Sequence, residues 1–383
     1  MIRKLASASL SIVLITLLGT TVIAQKTAPA ATAASKLLEL KVPAPSLKAN
    51  LLGEPLEQPT YVYLPPSYAT DTTRRYPTLY LLHGFLSTSK VWISGSYQGF
   101  NLQTSMDELI GAGKVREMIV VAANGYDAYG GSFYTNSPVS GNWDDFVTRD
   151  LVNYVDANYH TIARAESRGI AGHSMGGFGA VVLAMRHPDV FSALFALSPC
   201  CLAMESDMSQ ANTAWPKILT LTSRDQLNVP PKNFNEFYND VFVALAAAFS
   251  PNPAHPPFLV DFPFEAIAGP CSPPASQEIL TAAPCVQMVG TIYSKWRANI
   301  PSYVAEANKE NLRKLRGIFL DYGEKENFMH IRTGVQLFSK TLTDLNIPHQ
   351  FEVYAEGDHG SRVRVRMETR VFQFFNEKLV FEK

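Results

Sequence analysis

The sequence has few charged residues, none of the common metal-binding spacings and only four cysteines. Only 17% of its 383 residues are charged, and 33 lysines and arginines nearly balance 34 aspartates and glutamates, so the formal net charge is −1. A chain with a net charge near zero has no excess of positive charge to attract nucleic acid or an acidic membrane, and we expect neither partner. Neither a His-Glu-x-x-His nor a Cys-x-x-Cys spacing occurs, which argues against a metal site. A hydrophobic content of 46% is typical of a well-buried globular protein.

The N-terminal segment has the pattern of an export signal. Two basic residues precede the apolar run 10–18, which is too short to span a bilayer comfortably. Val22 and Ala24 then supply the small residues of a signal-peptidase site. We therefore expect residues 1–24 to be removed and the protein to be periplasmic or extracellular, with no membrane span after cleavage; an uncleaved anchor is the alternative. Residues 25–35 are rich in Ala, Thr and Pro and predict a flexible linker.

The four cysteines all follow this segment. An even number in an exported chain favours disulfides. The adjacent residues Cys200 and Cys201 are not expected to bond to each other, because that bond strains the peptide between them. Three arrangements remain: bridges from this pair to Cys271 and Cys285, a single Cys271–Cys285 bridge, or four free buried thiols.

Short apolar runs alternate with helical patterns over the remaining residues, as a mostly parallel sheet flanked by helices requires. The predicted strands are 60–64, 78–82, 118–122, 169–173, 193–197, 317–321 and 350–354, and the predicted helices are 102–110, 143–157, 176–186, 302–314, 333–345 and 363–377. Between Pro199 and Pro301 this rhythm breaks into a stretch rich in proline and aromatic residues. We expect one α/β domain, residues 36–383, with an insertion at about 200–300 that forms a cap over the functional site.

One short motif identifies a candidate nucleophile. Residues 172–177 read GHSMGG and lie between a predicted buried strand and a predicted apolar helix. This is the G-x-S-x-G turn that presents a reactive serine in α/β-hydrolase folds, and its glycines allow the chain to pass from strand to helix within one residue. Ser174 is the predicted nucleophile and the fold class is predicted to be α/β-hydrolase; an ordinary glycine-rich turn is the alternative.

A serine hydroxyl needs a base to take its proton and an acid to hold that base. In this fold the order along the chain is serine, acid, histidine. His359 lies in the loop after the last predicted strand and is therefore the predicted base. The other histidines fit less well: His173 lies inside the turn with its side chain directed away from the substrate, and His330 merely follows the loop that carries the acid.

The loop 321–327 offers three carboxylates for the acid. Asp321 still belongs to the strand end, and Glu324 lies one residue past a turn glycine. Glu326 is far enough into the loop to turn back toward His359, so we favour Glu326, with Asp321 second. Spacing by itself does not separate the two.

Acyl transfer also needs two backbone N–H groups that stabilise the oxyanion. The first belongs to Met175, the residue after the predicted nucleophile. The second is predicted at Phe85, in the loop that follows strand 78–82, where Gly84 lets the backbone approach. The alternative for this loop is a simple turn at the end of a strand.

Together these residues resemble the esterase family that includes esterase D (S-formylglutathione hydrolase), feruloyl and acetylxylan esterases and the antigen 85 mycolyltransferases. The resemblance covers about residues 60–200 and 317–360. The matching pieces are Tyr76-Pro77 through Leu82-His83-Gly84, Gly131-Ser132-Phe133-Tyr134, Gly172 to Gly177, His187-Pro188-Asp189-Val190-Phe191 and Gly357-Asp358-His359.

The resemblance implies functional roles for several residues. The Gly-x-x-acid pattern of the family falls on Gly323 and Glu326, and its oxyanion donors fall on Phe85 and Met175. Tyr134 lies in a loop that borders the site in the family, so it is a candidate for substrate binding, with core packing as an equal alternative.

The resemblance implies a secreted serine esterase that acts on a small-molecule, glycan or lipid ester through an acyl-enzyme and without a cofactor. The alternative is an acyltransferase, similar to the mycolyltransferases, that passes the acyl group to a sugar or lipid alcohol. A third interpretation, a non-catalytic binding protein, predicts a broken triad. The insertion at 200–300 matches none of the family's pockets, so the resemblance implies a reaction class but no particular substrate.

Overall fold

The computed structural model describes residues 34–227, 229, 232, 234–267 and 286–382. The predicted signal peptide, most of the predicted linker, Cys271 and Cys285 lie outside these residues. The strands are β1 Lys36–Pro43, β2 Glu57–Leu64, β3 Thr78–Leu82, β4 Ile119–Ala123, β5 Asn136–Ser137, β6 Gly141–Asn142, β7 Arg168–His173, β8 Ala193–Leu197, β9 Phe264–Ala266, β10 Val286–Met288, β11 Gly317–Gly323 and β12 Gln350–Tyr354.

The α-helices are α1 Leu102–Gly111, α2 Trp143–Asp145, α3 Val152–Asn158, α4 Met175–Arg186, α5 Ala214–Ile218, α6 Phe234–Phe249, α7 Gly290–Arg297, α8 Pro301–Val304, α9 Lys309–Lys314, α10 Met329–Asp344, α11 Val363–Arg366 and α12 Phe372–Lys378. Two π-helical segments, Phe146–Leu151 and Met367–Val371, join α2 to α3 and α11 to α12. No helix of the described residues has the length and apolar character needed to cross a membrane.

Eight of the strands form one twisted sheet in the order β1-β2-β4-β3-β7-β8-β11-β12. The pairs β1–β2 and β2–β4 are antiparallel, and every other pair is parallel. All residues of β3, β4 and β8 are buried, as expected for strands covered by helices on both faces. The prediction of a mostly parallel α/β sheet is therefore confirmed.

The apolar side chains of the central strands alternate between two hydrophobic clusters, one on each face of the sheet. In β3, Tyr80 and Leu82 belong to one cluster, and Leu79 and Leu81 belong to the other. Because β7, β8, β11 and β12 run parallel, the loops that follow them meet at one edge of the sheet. This edge brings together the loops that carry Ser174, Glu326 and His359.

The insertion, residues 200–300, supplies helices α5, α6 and α7 and the β9–β10 ribbon. Its aromatic side chains pack tightly: the rings of Trp215 and Phe242 stack with centroids 3.9 Å apart, and Trp296 donates a hydrogen bond from Nε1 to Ser250 Oγ at 2.8 Å. The apolar residues of α6 from Val241 to Phe249 belong to the same hydrophobic cluster as one face of the sheet. The described part of the insertion is therefore an extension of the main core.

Candidate active site

The turn between β7 and α4 holds Ser174 in a strained conformation, with φ 59° and ψ −117°. Its glycines are required because a side chain at either position would collide with neighbouring backbone atoms. A Cβ on Gly172 would lie 2.3 Å from the backbone of Gly176, and a Cβ on Gly176 would lie 2.2 Å from the carbonyl oxygen of Leu82. A non-glycine residue at either position would force the turn apart, so the sequence of this turn fixes the position of the serine.

His359 and Glu326 meet directly. Nδ1 of His359 lies 2.9 Å from Oε2 of Glu326, whose side chain is completely buried. Since a carboxylate accepts, the proton lies on Nδ1, and Nε2 is left as the basic nitrogen of the neutral ring. The other carboxylate oxygen, Oε1, accepts the backbone N–H of Phe328 at 3.1 Å, which fixes the orientation of the carboxylate.

The loops after β11 and β12 are bound to each other through their backbones. Glu324 donates its N–H to the carbonyl of Tyr354, and Lys325 donates to the carbonyl of Gly357, both at 2.8 Å. The approach is so close that a Cβ on Gly323 would lie 2.1 Å from the Gly357 oxygen. This contact determines that residue 326 faces residue 359.

Asp321, the second candidate for the acid, has a different partner. It is completely buried, and its Oδ2 accepts a hydrogen bond from Nε of Arg366 at 2.8 Å. Burial raises the pKa of Asp321 to about 7, although the adjacent Arg366 guanidinium lowers it. Arg366 also pairs with Glu352, so Asp321 belongs to a buried ion network behind the site.

His173, inside the turn, has a role that the sequence did not predict. Its Nε2 donates to the backbone carbonyl of His359 at 2.6 Å, and its Nδ1 accepts from the Tyr97 hydroxyl at 2.9 Å. Burial lowers the pKa of His173 to about 3, with a further contribution from His359, so the ring is neutral near pH 7. The residue before Ser174 thus holds the His359 loop against the turn.

Ser174 and His359 are brought to the same end of the sheet, but within the described residues no hydrogen bond joins the serine hydroxyl to the imidazole. Such bonds are often long without substrate and tighten when the substrate binds.

The loop after β3 is held by a second buried histidine. Nδ1 of His83 donates to the carbonyl of Gly84 at 2.9 Å, and Nε2 accepts the N–H of Gly125 at 2.8 Å. Burial lowers the pKa of His83 to about 4, which keeps the ring neutral and this pattern of donors intact. The Gly84 backbone lies against Ser174, since a Cβ there would be 3.3 Å from that of the serine.

The two predicted oxyanion donors stay a prediction that this arrangement allows. Met175 directly follows Ser174, and Phe85 directly follows Gly84. Within the described residues neither N–H group donates a hydrogen bond, so both are available to an oxyanion.

Tyr134 supports the loop after β3 and lies away from the pocket. The side chain is completely buried, and its hydroxyl donates to the carbonyl of His83 at 3.0 Å. Its ring fills the space that a Cβ on Gly125 or Gly179 would need. The geometry agrees with the core-packing alternative, and any influence of Tyr134 on a substrate passes through His83.

A narrow pocket opens beside Ser174. Its lining comes partly from the main fold and partly from the insertion: Phe85, Phe133, Ser174, Cys200, Cys201, Phe237, Val241, Phe328, His330 and Ile331. The contribution of the insertion was expected only in general terms, because no local pattern shows which of its residues face the serine.

Cys200 and Cys201 are unbonded and buried, and their Sγ atoms lie 2.7 Å apart. Both being free thiols disagrees with the arrangement in which bridges run from this pair to the other two cysteines. Burial raises the pKa of the Cys201 thiol well above its ordinary value, so this thiol is uncharged. Cys271 and Cys285 lie outside the described residues.

A serine on a strained strand–helix turn, and a histidine held by a buried glutamate at the carboxyl edge of a parallel sheet, define the α/β-hydrolase fold of serine hydrolases. The family described as "Putative esterase" matches residues 56–380. The chain belongs to this esterase family.

Among curated relatives, Esterase Rv1288 of Mycobacterium tuberculosis strain H37Rv is 35% identical over 137 residues, which are 34% of this chain and 27% of that protein. The chain thus matches about a quarter of that relative's length. Among solved structures, a ferulic acid esterase superposes with a TM-score of 0.57 at 20% identity, over 91% of this chain and 100% of the other. An S-formylglutathione hydrolase from Agrobacterium tumefaciens gives 0.56 at 16% identity, over 92% and 98%. At these identities the structural likeness establishes the fold.

Proposed function

We propose that the protein hydrolyses carboxylic esters through an acyl-enzyme on Ser174. The observation that carries the proposal is the 2.9 Å hydrogen bond between His359 and the buried Glu326, made by two loops that meet beside the serine. Membership of the esterase family supports the same reaction class. The ferulic acid esterase and the S-formylglutathione hydrolase are both ester or thioester hydrolases by name, and neither name assigns a substrate here.

The residues support an ordered sequence of steps. His359 Nε2 takes the hydroxyl proton as Ser174 Oγ attacks the carbonyl carbon, and Glu326 stabilises the imidazolium that forms. The N–H groups of Phe85 and Met175 bind the oxyanion of the tetrahedral intermediate. His359 then gives the proton to the leaving alcohol. Water repeats the sequence on the acyl-enzyme and releases the acid.

An alcohol could replace water in the second half of the reaction, which would make the protein an acyltransferase with the same residues. The arrangement of Ser174, His359 and Glu326 supports both fates of the acyl-enzyme, and we propose hydrolysis because it requires no further binding site. Adding glycerol or a sugar to the assay separates the two, because a hydrolase transfers no acyl group to the added alcohol.

We also propose that the protein is exported and that its mature chain begins at Gln25. The support is the basic start, the apolar run 10–18 and the Val22–Ala24 cleavage pattern. N-terminal sequencing of the protein recovered from the periplasm or medium tests this, and retention of residues 1–24 would contradict it.

Hydrolysis of a p-nitrophenyl ester series from acetyl to long acyl, alongside a feruloyl ester, tests the proposed activity. Turnover by the wild type and its loss in Ser174→Ala are expected. The optimum chain length would measure the depth of the pocket beside Ser174. Equal turnover by both proteins would contradict the proposal.

A further inference from the structure

The pocket beside Ser174 contains a buried histidine that the proposed mechanism does not use. His330 is the second residue of α10, its side chain is only 3% exposed, and it lines the same pocket as Ser174. Its Nδ1 lies 2.9 Å from Oδ1 of Asp207, in the insertion. Within the described residues, Nε2 of His330 has no hydrogen-bond partner.

Asp207 fixes the tautomer of this imidazole. Its carboxylate accepts the backbone N–H of Met329 at 3.1 Å and of His330 at 2.6 Å, and the hydroxyl of Tyr238 at 2.5 Å. An ionised carboxylate only accepts, so Nδ1 of His330 carries the proton. In the neutral ring Nε2 is then an acceptor.

The rest of the pocket makes this acceptor unusual. Apart from Ser174 and the thiols of Cys200 and Cys201, the other lining side chains are phenylalanine, valine and isoleucine. A nitrogen that lines such a pocket gains a hydrogen bond when a bound molecule supplies a donor.

We propose that His330 Nε2 is a specificity determinant that accepts a hydrogen bond from a hydroxyl group of the acyl chain bound in this pocket. The inference rests on the proposed function, because the acyl group must first be held on Ser174. The substrate class is then an ester of a hydroxylated acid. Asp207 and Tyr238 are positioning residues, since they act through the imidazole.

A matched ester series tests the inference. Each member is a p-nitrophenyl ester of butanoate, pentanoate or hexanoate, compared with its 3-hydroxy counterpart. The leaving group stays the same, and a 3-hydroxyl group does not cyclise onto the ester, because the lactone would be a strained four-membered ring. The wild type is expected to prefer the hydroxylated ester of at least one length by about 10-fold or more in kcat/KM.

Two substitutions locate the acceptor. In His330→Asn the shorter amide can still donate to Asp207 but has no group at the position of Nε2, so the preference should fall to within about 2-fold. The matched control is His255→Asn, which alters an exposed histidine bonded to Asp261 in the same insertion. This variant should keep the wild-type preference, and circular dichroism checks that both variants fold.

The outcomes separate this inference from the proposed function. An active wild type with no preference for any hydroxylated ester would overturn the inference alone, without use of a variant. An unchanged preference in a folded His330→Asn protein would also overturn it. Absence of hydrolysis of every ester by the wild type would overturn the proposed function and this inference with it.

Discussion

At the scale of single residues, two neighbouring carboxylates have different partners, so we expect one to act in catalysis and the other to stabilise the fold. Glu326 contacts His359, whereas Asp321 contacts Arg366. We expect Glu326→Gln to lower kcat by about 10³–10⁴-fold with little change in Tm, because an amide cannot stabilise the imidazolium. Asp321→Asn should lower Tm and leave kcat nearly unchanged, because it removes a partner of a buried guanidinium. Steady-state kinetics and thermal melts measure both; the reverse order would move the acid to Asp321.

The two buried histidines predict how stability depends on pH. Both are held neutral, with pKa values of about 4 for His83 and about 3 for His173 against an ordinary value of 6.5. A depressed histidine pKa means that the unfolded chain binds more protons in this range, so stability is complete above about pH 6.5 and falls as the pH drops toward the folded-state values. Each group contributes a few kcal/mol to this loss.

Thermal melts at a series of pH values test that prediction. The Tm of the wild type should fall steeply below about pH 6, and the Tm of His173→Gln, although lower near neutrality, should fall less steeply because glutamine does not titrate. Parallel curves for the two proteins would show that His173 does not contribute to the pH dependence.

The serine turn could be predicted from a local motif, because it depends on residues close in sequence. The loops of the acid and the histidine could be predicted from the order of the strands, whereas local spacing favoured Glu326 without separating it from Asp321. The contacts of His173 and His330 could not be predicted from the sequence. Nothing in the residues near His330 indicates that Asp207, more than a hundred positions away, closes on its ring. These contacts arise only when the insertion and the loops pack together.

At the scale of elements, the parallel strands were predictable and the antiparallel edge strand β1 was not. The observed bounds of β3, β8 and β12 coincide with the predicted strands, because each is a short apolar or alternating run between turn residues. Strand β1, Lys36–Pro43, was missed because three charged residues interrupt its apolar residues, as suits an antiparallel edge strand partly exposed to water. The predicted helix 302–314 is divided into α8 and α9.

The contact between the loops after β11 and β12 gives a prediction of its own. Gly323→Ala would place a methyl group 2.1 Å from the Gly357 oxygen, which must shift the loop that carries His359. We expect kcat to fall by about 100-fold or more, since small misplacements of a base are costly. Gly360→Ala is the matched control in the same loop, because its Cβ would meet nothing within 4 Å. Equal kcat values for the two variants would contradict this account of the loops.

At the scale of the whole molecule, the insertion belongs to the main core and completes the pocket. Cys200 and Cys201 stand where β8 leads into the insertion, and both are free thiols in the structure. Trypsin would release both in one peptide, residues 187–217, whereas Cys271 and Cys285 share the peptide 233–295. After alkylation in denaturant without reductant, we expect peptide 187–217 to carry two alkyl groups. Mass spectra showing the two peptides joined would contradict free thiols.

The central claim is that the acyl group passes through Ser174. The most direct measurement is a rapid acid quench of the protein with a p-nitrophenyl ester, followed by tryptic digestion and mass spectrometry. The account predicts that the acyl mass appears on the peptide 169–186, which contains Ser174, and is absent from Ser174→Ala. Acylation of another residue during productive turnover, or equal labelling of Ser174→Ala, would contradict it.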